Sequence, residues 1–226
     1  MKISFVVLSL FVFFAETFGA TTTEPYCDEL TTTTTAKKTT AKKITGYECP
    51  SGWGLFSRQK GKWCIKVFQN TLSQPSAKLN CQNVGAKLSG IENTNERAYI
   101  IKQGLGIVRS MNLKEGTLWV GGIRKTACSG SNKSAAGCVP WVNNAFEWID
   151  GFTTLKKMFT WIPNQPDYYK NSETCIQMVI SDKTPGTGGA KSGQMNDISC
   201  SKSTSTIELN YVRGYVCGKQ ATPIYG

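Results

Sequence analysis

The stretch Trp161-Ile162-Pro163-Asn164-Gln165-Pro166-Asp167 decides how this chain is read, together with Glu173-Thr174-Cys175 and, past a Gly-rich interruption, Met195-Asn196-Asp197-Ile198-Ser199-Cys200. It gathers five short oxygen-ended side chains, Gln165, Asp167, Glu173, Asn196 and Asp197, in two clusters. A disulfide between Cys175 and Cys200 would bring the clusters together. Hard cations take such ligands: calcium accepts about six to eight oxygens at about 2.3–2.6 Å in forgiving geometry. Three of the five are anionic, enough to hold a divalent ion while leaving coordination positions open. X-Pro is the one peptide bond with appreciable access to cis, and a cis Gln165-Pro166 bond would turn the flanking side chains toward one point. Asn, Asp, Gly and Pro are also what ordinary loops are made of, so the five residues argue as a set and not singly.

The chain opens with Lys2, an apolar run from Ile3 to Phe14 and the small residues Gly19-Ala20. That pattern predicts a removable secretory signal over residues 1–20, too short to span a bilayer, and no later segment is apolar enough to do so. Residues 21–45 are Thr with Lys and Ala, a composition without the large apolar side chains needed to repay ordering, and they read as a disordered, O-glycosylation-prone stalk. The folded domain is assigned to residues 46–220 and a short tail to 221–226. Nine cysteines behind a secretory leader argue for disulfides. Cys27 lies in the stalk, where it is either a route to a disulfide-linked oligomer or an unpaired thiol. The other eight fall between Cys49 and Cys217, and counting alone leaves about 105 pairings open. Cys49 and Cys64 are near enough in sequence to close a hairpin, and Cys128 and Cys138 to staple an excursion that also carries the glycosylation sequon Asn132-Lys133-Ser134.

The chain has no histidine. Its commonest general base and usual catalytic zinc ligand are therefore missing, and no nucleophile and base are assembled in sequence, so the chain reads as a binding protein and not an enzyme. The formal charge is +11, of which the leader and stalk, with five Lys and four acids, carry only +1. A basic surface attracts sulfated or phosphorylated polymers, although a secreted chain has no access to nucleic acid. A solvated, solubilising surface is the plainer reading of that charge.

Local pattern supplies the elements. Gly54-Leu55-Phe56 and Trp63 to Phe68 suit a hairpin. Ser73 to Val84 suits a Ser73-capped helix with Ala77, Leu79, Cys81 and Val84 as its apolar set, followed by a short strand at Leu88. Glu92 to Ile101 suits a second helix, capped by Asn93 or Thr94, with Ala98, Ile101 and Leu105 inward. Leu118 to Gly122, Phe146 to Gly151, Ile176 to Ile180 and Gly214 to Cys217 read as strands, and Trp119 as core.

The order of these signals from Cys49 to Cys217 resembles a C-type lectin-like domain of the long form. Cys81, Leu118-Trp119-Val120-Gly121, Phe146-Glu147-Trp148-Ile149-Asp150-Gly151, Trp161 to Asp167, Glu173-Thr174-Cys175, Asn196 to Cys200 and Tyr215-Val216-Cys217 carry the resemblance. It implies an α+β fold in which two helices flank small antiparallel sheets beneath a long loop region. It also implies the disulfides Cys49–Cys64, Cys81–Cys217 and Cys175–Cys200; Cys128–Cys138 comes from adjacency. In sugar-binding members the positions of Gln165, Asp167, Glu173, Asn196 and Asp197 hold one calcium (Ca2+) and the sugar hydroxyls on it. The Gln-Pro-Asp order is similar to galactose-type members, and Tyr169 stands where those often place an aromatic. Tyr168 and Thr174 replace acids found in members with an auxiliary ion, which implies one calcium and not two; Met195 stands where the family usually has Trp. The implied partners are glycans or glycoproteins. The alternative is a module of this fold that binds a protein, with calcium absent or only ordering the loops.

Overall fold

The computed structural model describes residues 42–205 and 207–226. The expected leader, most of the expected stalk and Cys27 lie outside them. The strands and helices in chain order are β1 (Ile44–Glu48), β2 (Gly54–Arg58), β3 (Gly61–Gln69), α1 (Gln74–Asn83), β4 (Lys87–Leu88), α2 (Thr94–Ser110), β5 (Glu115–Arg124), α3 (Trp141–Asn144), β6 (Phe146–Trp148), β7 (Cys175–Ser181), β8 (Met195–Ile198), β9 (Val212–Gln220) and β10 (Thr222–Tyr225).

The main sheet runs β2-β3-β9-β5-β7-β8, with β4 on β9 and β6 on β5. All its pairings are antiparallel except β5 with β9. β5 is covered on both faces, which is why it is a nearly unbroken buried run and not an alternating one. Gly121 is required there: a Cβ would lie 2.1 Å from the Leu88 carbonyl oxygen, so β5 and the end of β4 meet backbone to backbone.

The two expected helices form, α1 on two of its expected residues, Ala77 and Cys81, and α2 on a different stripe. Asn93 caps α2 by accepting the Glu96 N–H at 3.0 Å. The inner stripe of α2 is Glu96, Ile100, Gly104 and Val108, while Ala98 is exposed and Ile101 and Leu105 only flank the core. α1 buries Gln74, Ala77 and Cys81 and leaves Leu79 and Val84 outside. Ser73 precedes α1 without making a side-chain capping bond to its backbone; Pro75 in the first turn sets the helix start instead.

Four disulfides staple the domain, Cys49–Cys64, Cys81–Cys217, Cys128–Cys138 and Cys175–Cys200. Order extends past the boundaries drawn from composition. β1 starts at Ile44 inside the stretch read as stalk, and β10 falls in the stretch read as tail; the two pair with each other as a separate two-stranded sheet. Alternation too short to stand out from a Thr-rich background is rescued by this partner strand.

Candidate metal centre

The two ligand clusters are brought together by one antiparallel pair. β7 and β8 register Cys175 against Ile198, Ile176 against Asp197 and Gln177 against Asn196. The Cys175–Cys200 bridge closes that end with a Cα separation of 5.1 Å. The 165–168 turn is then tied on by Asp197, whose carboxylate accepts the Asp167 N–H at 3.2 Å and the Tyr168 N–H at 3.1 Å. Ligand oxygens of Asp167, Glu173 and Asp197 consequently lie within 4.8 Å of one another. The Gln165-Pro166 peptide bond is cis.

Backbone strain concentrates in the same loop. Among the described residues, five non-glycines have positive φ, and four of them, Asn164, Tyr168, Lys170 and Asn171, flank the carboxylates. Such conformations cost on the order of 1–3 kcal/mol each and persist where surrounding contacts over-determine them, commonly at binding sites. Here the contacts are explicit: the Tyr169 N–H donates to both Asp167 and Glu173, and the Tyr168 hydroxyl accepts the Gly130 N–H at 3.0 Å.

Three acids this close raise each other's cost of ionising. Burial, then the negative charge of Asp197, pushes the Glu173 carboxyl up to about 8, against the opposing pull of the Tyr169 N–H. Burial also raises Asp197, although Arg124 and the two backbone N–H groups draw it the other way. In this cluster the one nearby cation, Arg124, does not offset three acids.

The donor set fits calcium on an observation independent of those acids. Asn196 is 6% exposed, yet its side-chain oxygen Oδ1 is buried without a hydrogen-bond partner. A buried amide oxygen left unpaired costs about 1–3 kcal/mol, and a cation beside the carboxylates would satisfy it. Gln165 is half-buried and its Oε1 accepts the Asp167 N–H at 3.0 Å, which keeps that oxygen at the mouth of the cluster. The three acids are thus in direct proximity, Gln165 is tied to the Asp167 backbone, and Asn196 precedes Asp197 on β8. Tyr169 stands beside them, 59% exposed.

Arg124 is the residue that sequence reading missed. At the end of β5 its guanidinium is fully buried, donates to Asp197 at 3.0 Å and leaves Nη1 unpartnered. It is enclosed by Tyr168, Phe146 and Trp141, with ring centroids at 3.9, 4.6 and 5.1 Å. With all three carboxylates ionised and Arg124 counted, the net charge would be −2, which matches a divalent ion. The available signal was a lone cation closing a ten-residue strand whose preceding residues, Leu118 to Ile123, are all uncharged and apolar. The excursion stapled by Cys128–Cys138 is the second omission, because it leans on the site: Lys133 donates to Asn171 at 2.9 Å and the Trp161 indole to the Val142 carbonyl at 3.2 Å. Met195 is fully buried in the main core, against which Trp161 packs, and its backbone bridges that of Trp161.

Fold and disulfide framework together define a C-type lectin-like domain. A family model described as "C-type lectin domain-containing protein 141/158" matches residues 56–220, and the chain belongs to that family. It is 27% identical over 197 residues to C-type lectin domain-containing protein 158 of Caenorhabditis elegans, covering 76% of this chain and 88% of that one. Among solved structures it is similar in fold to the C-type lectin CEL-I from Cucumaria echinata, at 20% identity over 79% of this chain and 99% of that one, TM-score 0.49. It is likewise similar to a calcium-independent type II antifreeze protein, at 24% identity over 78% and 98% of the respective chains, TM-score 0.48.

Proposed function

We propose that this is a secreted, calcium-dependent carbohydrate-binding protein of the galactose or N-acetylgalactosamine type. The observation that carries the reading is the unpaired, buried Asn196 Oδ1 in the same assembly as the Asp167, Glu173 and Asp197 carboxylates. Gln165, Asp167, Glu173, Asn196 and Asp197 would hold one calcium. When bound, the ion would supply open coordination positions for two neighbouring sugar hydroxyls, and the same five side chains would exchange hydrogen bonds with those hydroxyls. The Gln165-Pro166-Asp167 order supports galactose, and the exposed Tyr169 ring offers a face to the apolar side of a pyranose. Secretion rests on the apolar leader of residues 1–20. No step of this reading is catalytic: it is a site that binds.

Calorimetric titration of the purified protein with calcium, with and without galactose, tests it. Calcium should bind once per chain and galactose only in its presence, and a chelator should elute the protein from galactose-agarose. Retention that ignores chelator, with no calcium bound to the pure protein, would sink the proposal.

A second reading, a protein-binding module, is favoured by the excursion that walls the site. It carries Val139 and Val142, 42% and 38% exposed, the second of which accepts the Trp161 indole N–H on its carbonyl. A glycan array blank in calcium, alongside capture of one specific protein lost on substituting Val139 and Val142 by Ser, would favour it.

A further inference from the structure

We propose that the chain carries a second, calcium-independent site, a lysine-rimmed cleft between the turn after α1, the Asp150–Phe152 turn and the end of β9, which takes linear polyanionic glycans. The cleft has a volume of about 440 Å3 and is walled by Trp63, Lys87, Gly151, Phe152, Gly218 and Lys219. Trp63 and Phe152 stack beneath it with ring centroids 4.5 Å apart. Gly218 keeps the floor low, since a Cβ there would fall 2.1 Å from the Trp63 indole nitrogen.

Three lysines border this cleft: Lys87 and Lys219 line it, and Lys60 is bonded to the carbonyl of Gly151 in its wall. Lys60 and Lys87 donate to consecutive carbonyls, those of Gly151 at 3.0 Å and Asp150 at 2.9 Å. Lys219 donates to the Val84 carbonyl at 3.1 Å and lies 4.7 Å over the Trp53 ring. None of the three is in an ion pair among the described residues. An ammonium has three N–H donors and no acceptor, so each keeps donors beyond the one its carbonyl takes. The acid in the wall cannot answer them. Asp150 is 1% exposed, and its carboxylate is already filled by the Gly90, Phe152 and Thr153 N–H groups, the Thr153 hydroxyl and Arg58.

A merely solvated basic surface spreads its charges, whereas this one pins two on adjacent carbonyls, and among the described residues no carboxylate pairs directly with either. Much of the side-chain ordering that a ligand must otherwise impose on lysine is already done. The ligand is a polymer and not a single anion because the positive track continues. Lys87 also walls an adjoining cleft of about 220 Å3 whose other cation is Lys78 on α1. A chain of sugars bearing sulfate or carboxylate groups can span both clefts. None of these residues belongs to the carboxylate centre, so this site stands or falls separately from the calcium site.

The test uses the full chain in excess chelator, which silences the calcium centre. Dextran sulfate, polygalacturonate and neutral dextran are the probes. We expect binding of one or both polyanions, no binding of dextran, and affinity that falls with added salt; dextran sulfate alone assigns sulfate, and both assign anionic charge generally. The variant Lys60→Gln/Lys87→Gln/Lys219→Gln keeps an N–H donor for each carbonyl and should lose about tenfold or more in affinity. The control Lys102→Gln/Lys191→Gln/Lys202→Gln has the same net charge and should change affinity less than about twofold. Equal losses in the two triples, or no polyanion binding by the parent protein at low salt, overturns the site. If thermal melting shows the first triple to be unfolded, Lys87→Gln alone, shared by both clefts, is compared with Lys102→Gln on the same criterion.

Discussion

Glu173 gives the molecule a pH dependence that can be assigned to one place. With no histidine in the chain, no side chain of ordinary pKa titrates between about pH 5 and 8, while Glu173 is pushed up to about 8 by burial and by Asp197. Calcium must displace the proton held there, so its affinity should fall about tenfold per pH unit below pH 8, a dependence that calorimetric titration at pH 6, 7 and 8 reads directly. Flat affinity across that range would remove Glu173 from the ligand set. Stability of the ion-free protein runs in the corresponding sense. Because the folded carboxyl keeps its proton where the unfolded one has lost it, the contribution of Glu173 is full below its ordinary value of 4.5 and is lost as pH rises toward 8. Arg124 yields the companion expectation. Replacing it by Met removes the buried partner of Asp197, which should cost about 3–5 kcal/mol without calcium, and added calcium should recover part of that loss. Urea denaturation with and without the ion measures both; an equal loss in the two conditions would mean that Arg124 only fills space.

At the scale of elements, legibility followed periodicity and failed where the buried stripe is not apolar. Strands β3, β5, β7 and β9 were readable because their inner residues are large and aliphatic or aromatic. The inner face of α2 was not, since two of its four buried positions are Glu96 and Gly104. Glu96 is buried because Arg58 meets it at 2.8 Å with both side chains at 0% exposure, and Gly104 because Ile180 and Leu118 occupy the space of its missing side chain. Neither fact is written within the helix itself. The cluster of Asp167, Glu173 and Asp197 was legible because its side-chain chemistry repeats a pattern, whereas Arg124 is a long-range contact with no local mark. Another long-range device is Glu115 at the start of β5. Burial works against its charge, but bonds from Thr187, Lys183 and Ser181 outweigh it and hold the carboxyl down to about 2. Those bonds clamp the 182–190 loop. Glu115→Ala should leave the sheet folded and release this loop, raising amide exchange at residues 183–190 severalfold or more; unchanged protection there would show that the clamp is idle.

Over the whole molecule, the parts that hold the fold are distinct from the carboxylate centre to which an ion is proposed to bind. The main core joins α2 to the sheet through Ile100, Val108, Leu118 and Ile180, and Cys81–Cys217 closes a separation of 136 residues through a second core. The carboxylate centre lies on loops bound to this body by the short β7–β8 pair and by Asp197. Chelation should therefore leave far-UV circular dichroism and the cooperative melt in place. Calcium at about 100 times its dissociation constant should add about 2.7 kcal/mol, the amount that mass action allows a ligand bound only by the folded state. Reduction of the disulfides should act differently, since loss of a native bridge from a small domain costs about 2–5 kcal/mol each: the reduced chain should unfold at 37 °C with or without calcium. The two treatments, followed by one denaturation series, separate ion from scaffold. A chelated protein that melts without cooperativity would mean that the carboxylate loops are part of the core after all, and that the long strained turn from Asn164 to Asn171 is held by the ion and not by Asp197 and Arg124.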